Sequence, residues 1–340
     1  MSHDPSLVII GGSNSLLRDG WVDQLKKLHP EPERVVKLSI GMATTAMGIY
    51  RLLACKDLPP DPVILWEYSL NESHYFEHRN PVRGLLYHTR WLFEICARRG
   101  YRVLPVLLYN KAEAEAEEPN TYRQILAKVL RRYRLKPLDA RRFWQRKFPD
   151  MPVDALYKDH PHYSTETAFP KALTRMALRR AKDATVPEDS IPQRGFAGRD
   201  LRILTPPQAK SEPFANRIIT CDTYPMTSPL RIPMNGRLLA CFMLSSQDQT
   251  AINFRSGQTA KGPYSAQISG RDGGPPVLLK HLLLWNPKSP PLEADGELMI
   301  LPQEMGDQRP VVQHTMAWRR KEPLDAAGGG LIGVLAEVDG

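Results

Sequence analysis

Over its first half the chain alternates short apolar runs with longer amphipathic ones, and this alternation limits the folds open to it. "SLVIIGG" (6–12), "RVVKLSI" (34–40), "DPVILWEY" (61–68) and "YRVLPVLLYN" (101–110) read as buried strands, the third ending near Asn71. Helical periodicity fills 15–28, 44–55 and 80–100, and returns at 121–134, 139–147 and 165–182. Apolar strands separated by helices predict an α/β domain, a flavodoxin-like parallel sheet with helices on both faces. Ligands of such sheets bind beyond the carboxyl ends of the strands. Ser13, Gly41 and Asn71 each follow an expected strand end, so they are expected along one edge.

The pattern changes near residue 185. "DATVPEDSIPQRGFAG" (183–198) is rich in proline, glycine and charge and reads as a linker. Beyond it, short apolar runs such as "GRLLACFMLSS" and "PVLLKHLLLW" alternate with turn signals such as Asn235-Gly236. The expected organisation is an α/β domain over 1–185, a linker over 186–198 and a β-sandwich or jelly-roll over 199–340. The acidic run "KAEAEAEEPN" (111–120) reads as a solvated loop, with a lid as the alternative.

Composition narrows the partners. The chain has 340 residues, 42% hydrophobic and 24% charged, the balance of a folded protein. No apolar run reaches membrane-spanning length. The N-terminus lacks a basic region and a cleavage site, which gives an expectation of a cytoplasmic protein. Cys55, Cys96, Cys221 and Cys241 are widely spaced and suggest neither a metal site nor a disulfide framework. Formal charge is +9, and residues 131–147 hold eight basic residues against one acid. That stretch reads as a solvated helix face, with attraction of an anionic partner as the alternative. Arg175 and Arg179 are weighed the same way. No helix-turn-helix, zinc-finger or aromatic RNA-binding pattern accompanies the charge, so nucleic acid is not an expected partner.

Two short stretches carry the chemistry. "GGSNS" (11–15) ends the first strand, and three readings are open: an exposed nucleophile at Ser13, a phosphate-binding loop, or a helix N-cap. G-x-G-x-x-G is absent, which argues against a dinucleotide loop. "YKDHPHYSTETA" (157–168) holds Asp159 and His162 three apart in a proline-containing loop, with His160 as competitor. A serine nucleophile needs a base and a carboxylate that orients it, and this loop supplies both.

In order and spacing, Ser13 in "GGSNS", Gly41 in "LSIGMATT", Asn71 in "YSLNES" and Asp159–His162 in "DHPHYS" resemble the blocks of the SGNH (GDSL) hydrolases. The resemblance covers residues 5 to 182. It implies the SGNH fold, with Ser13 as nucleophile, His162 as base and Asp159 as its orienter. It also implies an oxyanion hole from the N–H groups of Ser13 and Gly41 and the amide of Asn71. Three positions depart from the family pattern: Gly12 stands for the usual aspartate, Ser69 for a glycine and Glu72 for an aspartate. The implied activity is ester hydrolysis or acyl transfer through acyl-Ser13, with no cofactor and no metal. The expected substrate is an O-acyl (acetyl) group of a carbohydrate, or another ester. A polysaccharide O-acetyltransferase with the same triad, which needs an acyl donor, is the alternative. A non-catalytic glycan-binding protein is the reading from a different class. Trp285, Trp318, Phe254 and Tyr264 are candidates for a sugar-stacking surface on the β-domain, against the plainer reading as core.

Overall fold

A computed structural model of the chain describes residues 4–189, 195–246, 251–267, 269–270, 277–303, 310–313, 317–318 and 329–340. The chain divides into two compact units, Met1–Phe196 and Ala197–Gly340. The division falls inside the segment read as a linker.

The first unit is a parallel sheet of β1 (Leu7–Ile10), β2 (Val35–Lys37), β3 (Val63–Trp66), β4 (Arg102–Leu107) and β5 (Leu138–Asp139), in the order β2-β1-β3-β4-β5. Its inner strands β1, β3 and β4 are buried on both faces, so alternate side chains go to different helical layers. Leu7, Ile9, Val63, Leu65, Leu104 and Val106 share one core with α1 (Trp21–Leu28), α7 (Ala140–Lys147) and α9 (Phe169–Lys182). Trp66 points to the other face. Its Nε1 donates to Thr45 of α2 (Thr45–Ala54) at 2.8 Å, and its ring meets Phe93 of α4 (Val82–Arg98) edge-on at 6.0 Å. The remaining helices are α3 (Ser69–Glu77), α5 (Lys111–Glu115), α6 (Thr121–Arg132) and α8 (Val153–Leu156).

Several elements differ from the sequence reading. β3 stops at Trp66, and Asn71 lies in the first turn of α3 rather than at a strand end. Ser69 to Ser73 are all buried, so the helix start has no polar face and no amphipathic period to read. The acidic run is not simply a solvated loop. Asn110 and Glu113 form a reciprocal capping box that starts α5, the N-x-x-E signal in "NKAE". The first helix begins at Trp21, after Gly20, and a short 3-10 turn occupies Ser13–Ser15. The last begins at Phe169, not at 165, and β5 replaces the start of the helix expected at 139. The basic stretch is partly consumed internally: Arg132 pairs with Asp189 at 2.6 Å and Arg134 with Glu188 at 2.9 Å.

The second unit is antiparallel. It comprises β6 (Arg199–Leu204), β7 (Glu212–Ala215), β8 (Thr220–Thr223), β9 (Leu230–Ser245), β10 (Ala251–Ser256), β11 (Thr259–Ser265), β12 (Ser269–Gly270), β13 (Leu278–Leu283), β14 (Glu293–Gln303), β15 (Ala317–Trp318) and β16 (Gly330–Asp339). The 16-residue β9 is its spine: β14 and β13 pair with successive parts of one edge, and β16 pairs with the other. Phe254 is fully buried in the core, so its ring is no stacking platform, and Tyr264 is half-buried and packed against it at 6.0 Å. Trp285 is half-buried, and the side chain of Trp318 lies outside the described residues. None of the four cysteines is in a disulfide. No described helix is long and apolar enough to cross a membrane.

Phe196, in the segment read as a linker, is packed in the first unit. It is 2% exposed, its ring lies 4.5 Å from Trp91, and its carbonyl accepts from Arg98 at 2.7 Å. Phe196→Ala is expected to cost about 3 kcal/mol, the typical loss for a buried Phe truncated to Ala. Urea unfolding followed by tryptophan fluorescence checks this.

Candidate active site

In "GGSNS", Gly11, Gly12, Asn14 and Ser15 are buried while Ser13 stays partly exposed. The 3-10 turn explains this, because it turns the chain immediately after β1 and lifts one side chain out of the sheet edge. Ser13 makes no capping bond, and α1 starts eight residues later on Gly20, which removes the N-cap reading. A phosphate loop needs a long helix starting at the glycines, and none starts there. Ser13 Oγ instead lies 2.8 Å from His162 Nε2. His162 Nδ1 lies 2.7 Å from Asp159 Oδ1, and the same oxygen accepts from the His162 N–H at 3.1 Å. Nδ1 therefore donates to the carboxylate, which leaves the Nε2 lone pair facing the serine hydroxyl. His160 is outside this chain of hydrogen bonds; its carbonyl accepts from the Lys111 N–H at 2.9 Å.

The other two candidates converge on the same place. A Cβ added to Gly41 would sit 3.5 Å from Ser13 Cβ, so the two backbones run side by side. Tyrosines hold the Gly41 turn from both ends. Tyr68 Oη takes the Ile40 N–H at 3.2 Å, and Tyr75 Oη donates to Met42 O at 3.1 Å. Met42 has φ +51°, a left-handed conformation costly for a side chain of this kind and maintained here by that clamp. Asn71 packs against Gly12. A Cβ on Gly12 would collide with Asn71 Oδ1 and lie 2.8 Å from its Cγ. The glycine that departs from the family pattern is thus the one residue that leaves room for the amide as it is placed here.

Three residues were not singled out from sequence, and a fourth, Glu72, was noted there only as a departure from the family pattern. Asn14 is a staple: its Nδ2 donates to Pro161 O at 2.7 Å and its Oδ1 accepts the Tyr163 N–H at 2.9 Å, holding the residues on both sides of His162. Glu67 lies buried under the nucleophile turn, where Oε2 accepts from Gly12 N–H at 2.9 Å and from Ser15 Oγ at 2.7 Å. Glu72 accepts from Thr45 N–H at 2.9 Å, Tyr122 Oη at 2.7 Å and Thr89 Oγ1 at 3.2 Å, anchoring α3 to α2, α6 and α4. Arg123 is buried against Glu113, with Nε and Nη2 at 2.8 and 2.9 Å from its two oxygens. Position alone hinted at Glu67, which ends an apolar strand where a charge is unexpected.

No protein-family model and no curated protein matches the sequence. Among solved structures, an acetylxylan esterase from Geobacillus stearothermophilus is 17% identical, with TM-score 0.42 over 53% of this chain and 95% of that one. A member of the lipolytic G-D-S-L family from Veillonella parvula is 12% identical, with TM-score 0.40 over 51% and 96%. The protein YXIM of Bacillus subtilis is 14% identical, with TM-score 0.43 over 53% of this chain, which spans 56% of that protein's length. The first unit has the α/β fold expected from the sequence, a five-stranded parallel sheet with helices packed on it. The residues that match the family blocks, drawn from the segments after β1, β2 and β3 and before α9, gather at one edge.

Burial raises the carboxyl of Glu67 from its ordinary 4.5 to about 7, against the hydrogen bonds from Ser15 and Gly12 and the attraction of Arg123. Its Oε1 has no partner among the described residues, so only one of its two oxygens is held by hydrogen bonds. A raised native pKa means the folded chain holds this proton more tightly than the unfolded one. The stabilisation is complete below pH 4.5 and is lost as pH rises through 7, a change of about 3 kcal/mol. Urea titrations at pH 5 and pH 8 are expected to show this loss in the wild type and a smaller pH dependence in Glu67→Gln.

Proposed function

We propose that the first unit is a serine ester hydrolase or acyltransferase that works through an acyl-Ser13 intermediate. The observation that carries this reading is the unbroken hydrogen-bond chain from a partly exposed Ser13 Oγ through His162 to Asp159, at 2.8 and 2.7 Å. In a parallel α/β fold this is the arrangement that nucleophilic acyl chemistry requires.

The steps follow from the donors and acceptors present. Ser13 Oγ attacks the ester carbonyl as its proton passes to His162 Nε2. Asp159 orients the imidazole and stabilises its cation. Negative charge develops on the carbonyl oxygen, and three donors converge on it: the N–H groups of Ser13 and Gly41 and the side-chain amide of Asn71. None of the three carries a hydrogen bond to another described residue. The tetrahedral adduct collapses, the C–O bond to the alcohol breaks, and His162 returns the proton to the departing oxygen. Water then enters, loses a proton to His162, attacks the acyl carbon and frees Ser13. A second alcohol in place of water makes the same cycle a transfer.

The substrate is read as an O-acyl group, acetyl in the first instance, on a carbohydrate. The support is the block resemblance together with the added β-rich unit, to which we assign substrate positioning. A polysaccharide O-acetyltransferase forms the same acyl-Ser13 from a separate acyl donor and passes the acyl group to a sugar hydroxyl in the second step. A screen of acetylated sugars and simple esters, with and without glycan acceptors, separates the two.

The test of the reaction class is covalent. A fluorophosphonate is expected to label Ser13, with labelling lost in Ser13→Ala and reduced by about 10³-fold or more in His162→Ala. Intact, folded protein that resists labelling would sink the proposal.

Restoring the family's usual residue supplies a second test. Gly12→Asp places a side chain where Asn71 sits, so the amide must leave the oxyanion position. Loss of one such donor costs about 10² to 10³ in kcat. Steady-state kinetics on a small ester are expected to show that loss in kcat with little change in KM, and Asn71→Ala added to Gly12→Asp is expected to cost little more.

A further inference from the structure

We propose that the exposed face of α7 and α9 is a docking surface for an anionic polysaccharide, a carboxylated sugar chain whose O-acyl groups Ser13 attacks; the last clause rests on the hydrolase reading above. α7 carries four cations and α9 five, and neither helix carries an acid. The two helices lie in one layer, packed on the same core through Phe143, Leu173 and Ala177. On α9, Lys171, Arg175 and Arg179 recur every four residues, so they line one face, and all three are exposed. Arg146 and Lys147 are exposed in the last turn of α7.

The charge of this face is not neutralised from within. Among the described residues none of these five cations meets a carboxylate, and Arg179 reaches only the Met176 sulfur, at 3.2 Å. Other surface cations of the unit are tied down: Lys27 by Asp19, Arg34 by Glu31 and Lys111 by Asp154. Arg132 and Arg134, in the same basic stretch as α7, are held by Asp189 and Glu188. Lys171, Arg175 and Arg179 are instead like-charged neighbours at i,i+4, which weakens a helix until an anion lies along it.

The face leads to the reacting centre. α9 follows the segment that carries His162 and ends at Lys182, which pairs with Asp4 ahead of β1. From Lys171 to Lys182 the row of cations therefore runs about 16 Å, from the catalytic edge of the sheet toward the opposite one. A polymer laid along it has one end at the site. Other polyanions fit less well. A membrane surface takes apolar side chains as well as cations, and among the described residues no exposed large hydrophobic lies on either helix. Single-stranded nucleic acid stacks its bases on open aromatic faces. Here Phe143 and Phe169 are buried, and Trp144 packs on the core with its Nε1 donating to Met151 O at 3.2 Å. A carboxylated sugar chain needs only cations, best as guanidinium forks, and Arg146, Arg175 and Arg179 supply these.

Fluorescence anisotropy with labelled polygalacturonate tests the surface without relying on turnover. Dextran, single-stranded DNA and vesicles of phosphatidylcholine with phosphatidylserine serve as competitors. The wild type is expected to bind polygalacturonate in preference to all three, more weakly as salt rises. Arg175→Glu with Arg179→Glu is expected to bind about tenfold more weakly. Lys128→Glu with Arg131→Glu makes the same change of charge at exposed positions of α6, which packs beside α3 and α4, and is expected to leave binding within about twofold. Arg175→Gln with Arg179→Gln, expected to show a smaller loss in the same direction, keeps the test open if the reversal disturbs the fold. Absence of binding to the wild type, equal losses in the two reversed pairs, or a preference for DNA, vesicles or dextran overturns the proposal. Fluorophosphonate labelling of the same samples separates the two readings. Labelled Ser13 without polymer binding defeats the docking surface alone. Unlabelled Ser13 with binding lost in the α9 variants defeats the catalytic reading and leaves the docking surface standing.

Discussion

His162 must arrive within 2.8 Å of a serine 149 residues away, and Asn14 is the residue that makes the meeting reproducible. Its carboxamide bridges to Pro161 O and Tyr163 N–H, on either side of the histidine, so the loop is measured from the nucleophile's own neighbour. Both bonds are backbone-directed and one is buried, where a lost partner costs most. The same turn is held from below by Glu67. Position of the serine, direction of the imidazole and shape of the turn therefore depend on two side chains, neither of which touches a reacting atom.

A second constraint is reciprocal. Asn71 can stand beside Ser13 because residue 12 has no side chain, and Gly12 is compatible with the turn because Glu67 takes its N–H. A departure from the family's pattern at one position is thus coupled to the packing of another. The departure at Glu72 has a similar cause. A carboxylate at this point of α3 reaches Thr45, Thr89 and Tyr122 on three other helices, and so fixes the turn that carries Asn71.

What could be read from the sequence follows from what leaves a local signal. The strands of the first unit are continuous apolar runs and were legible for that reason, and the five matched site residues were singled out by the order and spacing of short blocks. α3 was not, because a helix start buried all round has no periodicity. α5 was missed although "NKAE" carries its cap, since the acidic run that follows looks like a solvated loop. The roles of Asn14, Glu67 and Arg123 were invisible for another reason. Their roles consist of contacts with residues 147, 55 and 10 positions away, and no local pattern announces those. Phe254 and Tyr264 left two readings open, core and stacking surface, because an aromatic alternating with polar residues in a strand looks the same whether its face is covered or open.

The polar groups beneath the site explain how a soft loop cluster can hold a precise geometry. Apolar packing is non-directional, so a core of Leu and Val fixes separation between layers but not the bearing of a single N–H. Hydrogen bonds in a low-dielectric interior fix direction, and they do so at a cost in desolvation. Glu67 and Glu72 both meet that cost, as the upward shift of their carboxyls records, and Arg123 meets it with Glu113. Each of these groups points at an element that carries a site residue: the nucleophile turn, the start of α3, and, through Glu113 and Ser73, α3 again. In the first unit Glu67, Glu72 and Arg123 are buried where orientation matters, and the strands of the sheet are left to hydrophobic packing.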